Sequence, residues 1–149
     1  MTRLDFNMTG TDELRRTLRR LDGPAQDAAL DGIEAWARDI ETVAKRGIQG
    51  GPKTGETVEK TNPRRTHKQS AAGQFPATDT GRLVSSIATS RVGQSIRVGS
   101  GVVYSKFLEF GTRFMAARPW LQPSIDKTRR RGVAGIVERL RREFARRRR

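Results

Sequence analysis

The chain carries few residues that could make or break bonds. It has one histidine and no cysteine. His67 lies among Arg64, Arg65 and Lys68 and reads as a surface histidine. Without cysteine there are no disulfides, no thiolate metal sites and no Cys–His nucleophile. Neither a Gly-x-Ser-x-Gly elbow nor a His-Glu-x-x-His helix is present. Gly47, Gly50 and Gly51 precede Lys53-Thr54, but the Gly-x-x-x-x-Gly-Lys-Ser/Thr spacing of a phosphate loop is absent and no helix follows. Glu56 and Glu59 stand in polar sequence and do not cluster with other acids. The expectation is a protein that is not an enzyme, with no catalytic residues, no cofactor and no metal.

Charge points elsewhere. Thirty Lys and Arg against 16 Asp and Glu give a formal net charge of +14. That suits contact with a polyanion, nucleic acid or an acidic protein surface. The cations gather at residues 127–131, 139–142 and 146–149, a sufficient supply for neutralising phosphates. Arg146, Arg147, Arg148 and Arg149 are the candidate DNA or polyanion contacts. Phe144 is the only aromatic in this basic run, and its helix needs it for core, so no stacking platform is evident. A stand-alone basic nucleic-acid-binding protein is the alternative function.

The densest information lies in Tyr104–Pro123, YSKFLEFGTRFMAARPWLQP. Five of the chain's nine aromatics fall there. Aromatics dominate both cores and interfaces, so the stretch is a keystone, a docking surface, or both by turns. Tyr104, Phe107, Leu108 and Trp120 are assigned to the keystone. Glu109 needs a partner if buried, and Arg113 or Arg118 could supply a bidentate one. Glu109, Gly111, Thr112, Arg113 and Arg118 are therefore the candidates for fixing how one subunit meets another.

The elements that must hold these residues follow from periodicity. Leu4, Phe6 and Met8 alternate with polar residues as a short strand. Thr11 or Asp12 can cap a helix to about Leu21, with Leu14, Leu18 and Leu21 on one face. Asp22-Gly23-Pro24 breaks it, and a long helix runs from about Pro24 to Ile48. Its stripe is Ala29, Ile33, Trp36 or Ala37, Ile40, Val43 or Ala44, and Ile48. Residues 51–77 lose periodicity and read as a mobile arm or a long hairpin-like excursion. Thr80 or Asp79 can cap a short turn over 82–86. Ile87–Arg91 and Ile96–Val98 form a hairpin around Gly93, with a further strand at Val102–Tyr104. Pro123 opens a last helix to about Phe144, whose stripe is Ile125, Val133, Ile136 or Val137, Leu140 and Phe144. Within it Gly132 and Gly135 signal either close backbone approach or a kink.

At 149 residues the prior is one domain, 1–149, with an Arg-rich tail at 145–149. The predicted class is α+β: a small antiparallel sheet packed against a long helix in the N-terminal half and a C-terminal helix, with the arm at 51–77. No apolar run of eighteen residues exists, and the first residues lack the apolar core of a signal peptide, so no membrane association is expected.

The order of residues carries a resemblance. Thr80-Gly81-Arg82-Leu83-x-x-Ser86-Ile87, then Val98-Gly99-Ser100, Val103-Tyr104, Leu108-Glu109-Phe110-Gly111-Thr112 and Ala117-Arg118-Pro119-Trp120-Leu121-x-Pro123 resemble the HK97 gp10-like family. Gly73-Gln74-Phe75-Pro76-Ala77 and Gly10-Thr11-Asp12-Glu13-Leu14 are similar to the family as well. These are neck or tail-completion proteins of long-tailed bacteriophages. The resemblance implies a non-enzymatic α+β subunit of a ring, usually six-fold, at the head–tail junction. Its implied partners are further copies of itself, the adjacent neck or connector ring, the tail-tube protein, and DNA passing through the channel. Its implied location is the virion, assembled in the host bacterial cytoplasm. In that setting Arg64, Arg65 and Lys68 of the arm would meet acidic patches on a neighbour.

Overall fold

The computed structural model describes residues 22–147, together with Arg16 and Arg20. The strand expected at Leu4–Met8, most of the helix expected up to Leu21, and Arg148 and Arg149 lie outside the described residues. Among the described residues the order is α1 (Gly23–Gly50), β1 (Thr57–Thr61), β2 (Arg64–Lys68), α2 (Arg82–Ser86), β3 (Ile87–Val92), β4 (Ser95–Ser100), α3 (Ser105–Phe110) and α4 (Gln122–Arg147). This is the expected α+β class. The strands form two separate two-stranded antiparallel sheets, β1–β2 and β3–β4, where the sequence suggests one.

Helix α1 starts as its sequence dictates. The Asp22 carboxylate accepts the Ala25 N–H at 3.3 Å, and proline occupies the first turn, where no N–H is needed. Its inner face buries Ala25, Ala29, Leu30, Gly32, Ala37, Ile40, Ala44 and Ile48, close to the predicted stripe. Helix α4 runs antiparallel along it: Arg131 bonds Asp39 at 3.0 Å, and the Arg147 guanidinium pairs with Asp22 at the opposite end.

The buried face of α4 only partly follows the predicted stripe. Ile125 packs against the core and Ile136 lies against Gly32 of α1, but the fully buried positions are Ser124, Thr128 and Gly132, and Val133, Val137 and Phe144 stay exposed. The reason is Trp36 on α1. Its indole N–H donates to Thr128 Oγ1 at 2.9 Å, and its ring lies where a Cβ on Gly132 would be, 2.2 Å from Cγ. A large ring on one helix requires small residues on the other. The hydroxyls are satisfied along α4 itself: Thr128 Oγ1 donates to Ser124 O at 2.8 Å, and Ser124 Oγ to Trp120 O at 2.6 Å.

The core joins Ile40, Ala44 and Ile48 of α1 to Phe75, Leu83, Val84, Ile87, Trp120 and Leu121. Phe75 packs against Gly47, whose absent side chain makes the space; a Cβ there would meet the ring at 2.4 Å. Val102–Tyr104 is a turn into α3 and not a strand. Ser105 N and Ser105 Oγ both donate to Val102 O, at 3.2 and 2.7 Å.

Residues 51–77 contain the β1–β2 hairpin, paired from Thr57↔Lys68 to Thr61↔Arg64. Its burial alternates regularly, with Val58, Lys60, Arg65 and His67 turned toward the body. Three of those four are basic, which is why no hydrophobic period marks the strands in the sequence.

Candidate functional site

Within Tyr104–Pro123 the residues divide by which side of α3 they occupy. Trp120 is fully buried and Leu108 packs on the core. The Trp120 indole donates to Ser105 O at 3.2 Å. Tyr104 and Phe107, assigned to the keystone from sequence, are instead well exposed, as are Phe110 and Phe114. The two-turn helix explains the division. Positions 104, 107 and 110 share one side at i, i+3 spacing, while 105, 108 and 109 face inward.

Glu109 is buried, and the expected arginine is not its partner. Its Oε2 accepts the Trp120 and Leu121 N–H groups at 2.7 and 2.8 Å, and its Oε1 accepts the Gln122 N–H at 2.9 Å. These donors lie at the start of α4, where Ile125 N already bonds Leu121 O at 3.0 Å. A helix start leaves backbone donors unpaired and carries partial positive charge. Glu109 therefore caps α4 from another element, eleven to thirteen residues away in sequence.

The turn between them is built for that reach. Gly111 has φ +75°, and a Cβ there would lie 2.8 Å from Met115 O and 2.9 Å from Ala117 N, so only glycine fits. Thr112 and Met115 exchange backbone bonds at 2.8 and 3.2 Å, and Thr112 Oγ1 accepts Phe114 N at 3.2 Å. Arg118 turns away from Glu109. Its Nε donates to Ser70 O at 2.9 Å and its Nη2 to Gln69 Oε1 at 3.2 Å. Arg113 lies over the Phe114 ring at 4.3 Å, and Lys106 over Phe107 at 5.0 Å.

A second cluster holds the hairpin. Asp79 receives Lys60, Arg65 at 2.8 Å, and His67 Nδ1 at 3.7 Å. The hydrogen bond from Lys60, aided by the charges of Arg65 and Lys60, holds the Asp79 carboxyl below the ordinary aspartate value of 3.8. Sequence reading offered Asp79 only as a cap; nothing local marks it as the hairpin's acceptor. Beside it lies a cavity of about 410 Å³, with Lys60, His67, Asp79, Arg82, Tyr104 and Arg118 on its walls. The remaining arm residues, Arg64 and Lys68, are on the hairpin's exposed face. Of the C-terminal arginines, Arg147 pairs with Asp22 and Glu143, and Arg146 extends into solvent 3.9 Å from Glu143.

The sign of the Asp79 shift predicts a pH response. A carboxyl with a lowered folded pKa contributes stability that is complete above its unfolded value and lost as pH falls through the folded value. Hairpin docking should therefore hold at neutral pH and weaken only below about 3.8. At neutral pH, Asp79→Asn should speed hydrogen exchange in residues 57–68 and leave α1 unchanged. Equal protection of the hairpin in both proteins would contradict this role.

The described structure is thus an α+β protein whose clustered polar groups serve its own helix start and hairpin, with aromatic rings left outside. Residues 12–111, two thirds of the chain, match the family model described as "Bacteriophage HK97-gp10, putative tail-component", and the chain belongs to that family of bacteriophage tail proteins. The match takes in α1 and the hairpin, where the sequence motifs are weakest, and stops at Gly111. No curated protein and no solved structure matches the chain. Among the described residues no helix is long and apolar enough to cross a membrane.

Proposed function

We propose that this tail-family protein is a non-enzymatic, ring-forming subunit at the head–tail junction, acting in tail completion or as a neck adaptor. Family membership carries the reading. A structural component acts through surfaces, and its subunits meet head to tail in a ring that closes by rotation. Arg64, Lys68, Thr112 and Arg113 are exposed and are proposed to contact neighbouring copies or rings. Arg65, Glu109, Gly111 and Arg118 contribute indirectly, by fixing the hairpin and the turn that present them. The net charge of +14 suits a lining past which DNA moves, with Arg146 and the residues after it as contacts.

The purified protein should form a closed, six-membered assembly by light scattering, and labelled copies should map to the junction in particle images. A monomer that binds random-sequence DNA tightly, with steep loss between low and physiological salt, would replace this reading with the stand-alone nucleic-acid binder.

A further inference from the structure

Helix α3 and the turn after it present four aromatic rings to solvent. Tyr104 and Phe107 are each 41% exposed, Phe110 64% and Phe114 83%, with Val103 beside them at 62%. Aromatic side chains bury about 150–250 Å² each, so these rings leave roughly 450 Å² uncovered. That equals the largest apolar patches found on monomers, about 300–600 Å², which are often functional. It is about half of one partner's share of a standard interface. The patch therefore has the size of an interface core that still needs a polar rim.

The rim is cationic. Lys106 and Arg113 sit over the faces of Phe107 and Phe114, and neither has a carboxylate partner among the described residues. We infer that this aromatic face docks a different protein of the particle, through an apolar surface edged with Asp and Glu. The inference rests on the tail-protein reading and adds the chemistry of the partner.

Two other occupants fit less well. A second copy would bring a surplus of positive charge, since the chain is +14. Among the described residues, eight of its thirteen acids are already engaged in ion pairs of their own: Asp22, Asp31, Glu34, Asp39, Glu41, Asp79, Glu138 and Glu143. Like charges at a contact are unfavourable. A single-stranded nucleic acid would stack bases on ring faces, and one face each of Phe107 and Phe114 is occupied by the chain's own cation. An acidic protein rim can bond those cations while its apolar centre covers the ring edges.

The test uses the full chain in assembled particles, with photoreactive p-benzoylphenylalanine at position 114. Irradiation should join this position to a peptide of another particle protein that has Asp or Glu within a few residues of the linked site. A link to this same chain, a link to nucleic acid, a link to a peptide without acids, or no link would each overturn the proposal. Phe114→Asp gives a second readout. It should leave the oligomeric mass of the purified protein as in wild type and cut incorporation into particles at least tenfold, as for a hot-spot side chain. Incorporation at the wild-type level, or loss of self-assembly, would also overturn it. A wild-type protein that remains monomeric sinks the ring reading alone, because the identity of the linked peptide is read independently.

Discussion

Glu109→Ala should lower the free energy of unfolding by about 4 kcal/mol, and Glu109→Gln by about half as much. Three backbone donors converge on this carboxylate at 2.7, 2.8 and 2.9 Å. Hydrogen bonds to a charged group contribute about 1.5–3 kcal/mol each, with less than full additivity. Alanine leaves the Trp120 and Leu121 N–H groups unpaired beside a fully buried indole, where each orphan costs about 1–3 kcal/mol. It also removes negative charge from the start of the 26-residue α4, a favourable site for an anion. Glutamine keeps the shape and one acceptor oxygen, but turns an NH₂ toward at least one N–H. Urea melts followed by tryptophan fluorescence measure the difference. Because Trp120 stands at the cap, its environment should change in the folded Glu109→Gln protein as well. A loss below about 1 kcal/mol for alanine would mean that water replaces the carboxylate, and the cap would lose its assigned weight.

This cap shows where sequence reasoning succeeds and where it stops. That Glu109 stands among aromatics and, once buried, needs a partner is visible in the sequence. The partner's identity is not, because a backbone N–H has no sequence signature; arginine was the visible candidate. Helix α1 is legible since its buried face is apolar at helical spacing, from Ala29 to Ile48. Helix α4 is read only in part, through Ile125 and Ile136, for the converse reason. Its buried face is Ser124, Thr128 and Gly132, and hydropathy picks the exposed Val133, Val137 and Phe144 instead. The hairpin at 57–68 is hidden by charge: the inward face of β1 and β2 holds Lys60, Arg65 and His67, and their acceptor Asp79 lies eleven residues past β2. Where burial is by hydrocarbon, the pattern survives in sequence. Where it is by ion pairing or by fit around one large ring, the reason sits in a distant residue.

The two glycines of α4 turn that last point into a prediction with opposite signs. Both replace alanine at a cost of about 1 kcal/mol in helix propensity, and the sequence does not distinguish them. At Gly135 the nearest atom to an added Cβ is Arg139 Nη1 at 3.7 Å, an ordinary contact with a mobile side chain. Gly135→Ala should therefore stabilise the protein, by up to about 1 kcal/mol. At Gly132 the same methyl meets Trp36 Cγ, Cδ1 and Cδ2 at 2.2, 2.3 and 2.5 Å. A rigid ring cannot yield locally, so the indole must swing, breaking its 2.9 Å bond to Thr128 Oγ1. The hydroxyl keeps its bond to Ser124 O, but the indole N–H loses its acceptor. Gly32 leaves no slack one turn away, because a Cβ there would already be 3.0 Å from the Ile136 Cα. Overpacking and a lost, partly buried bond together should cost about 2–4 kcal/mol, outweighing the propensity gain. Thermal melts of the two variants, with near-ultraviolet circular dichroism for the indole, decide the matter. The predicted order is Gly135→Ala above wild type and Gly132→Ala well below it. If both variants gained stability, Trp36 would not be what keeps position 132 bare.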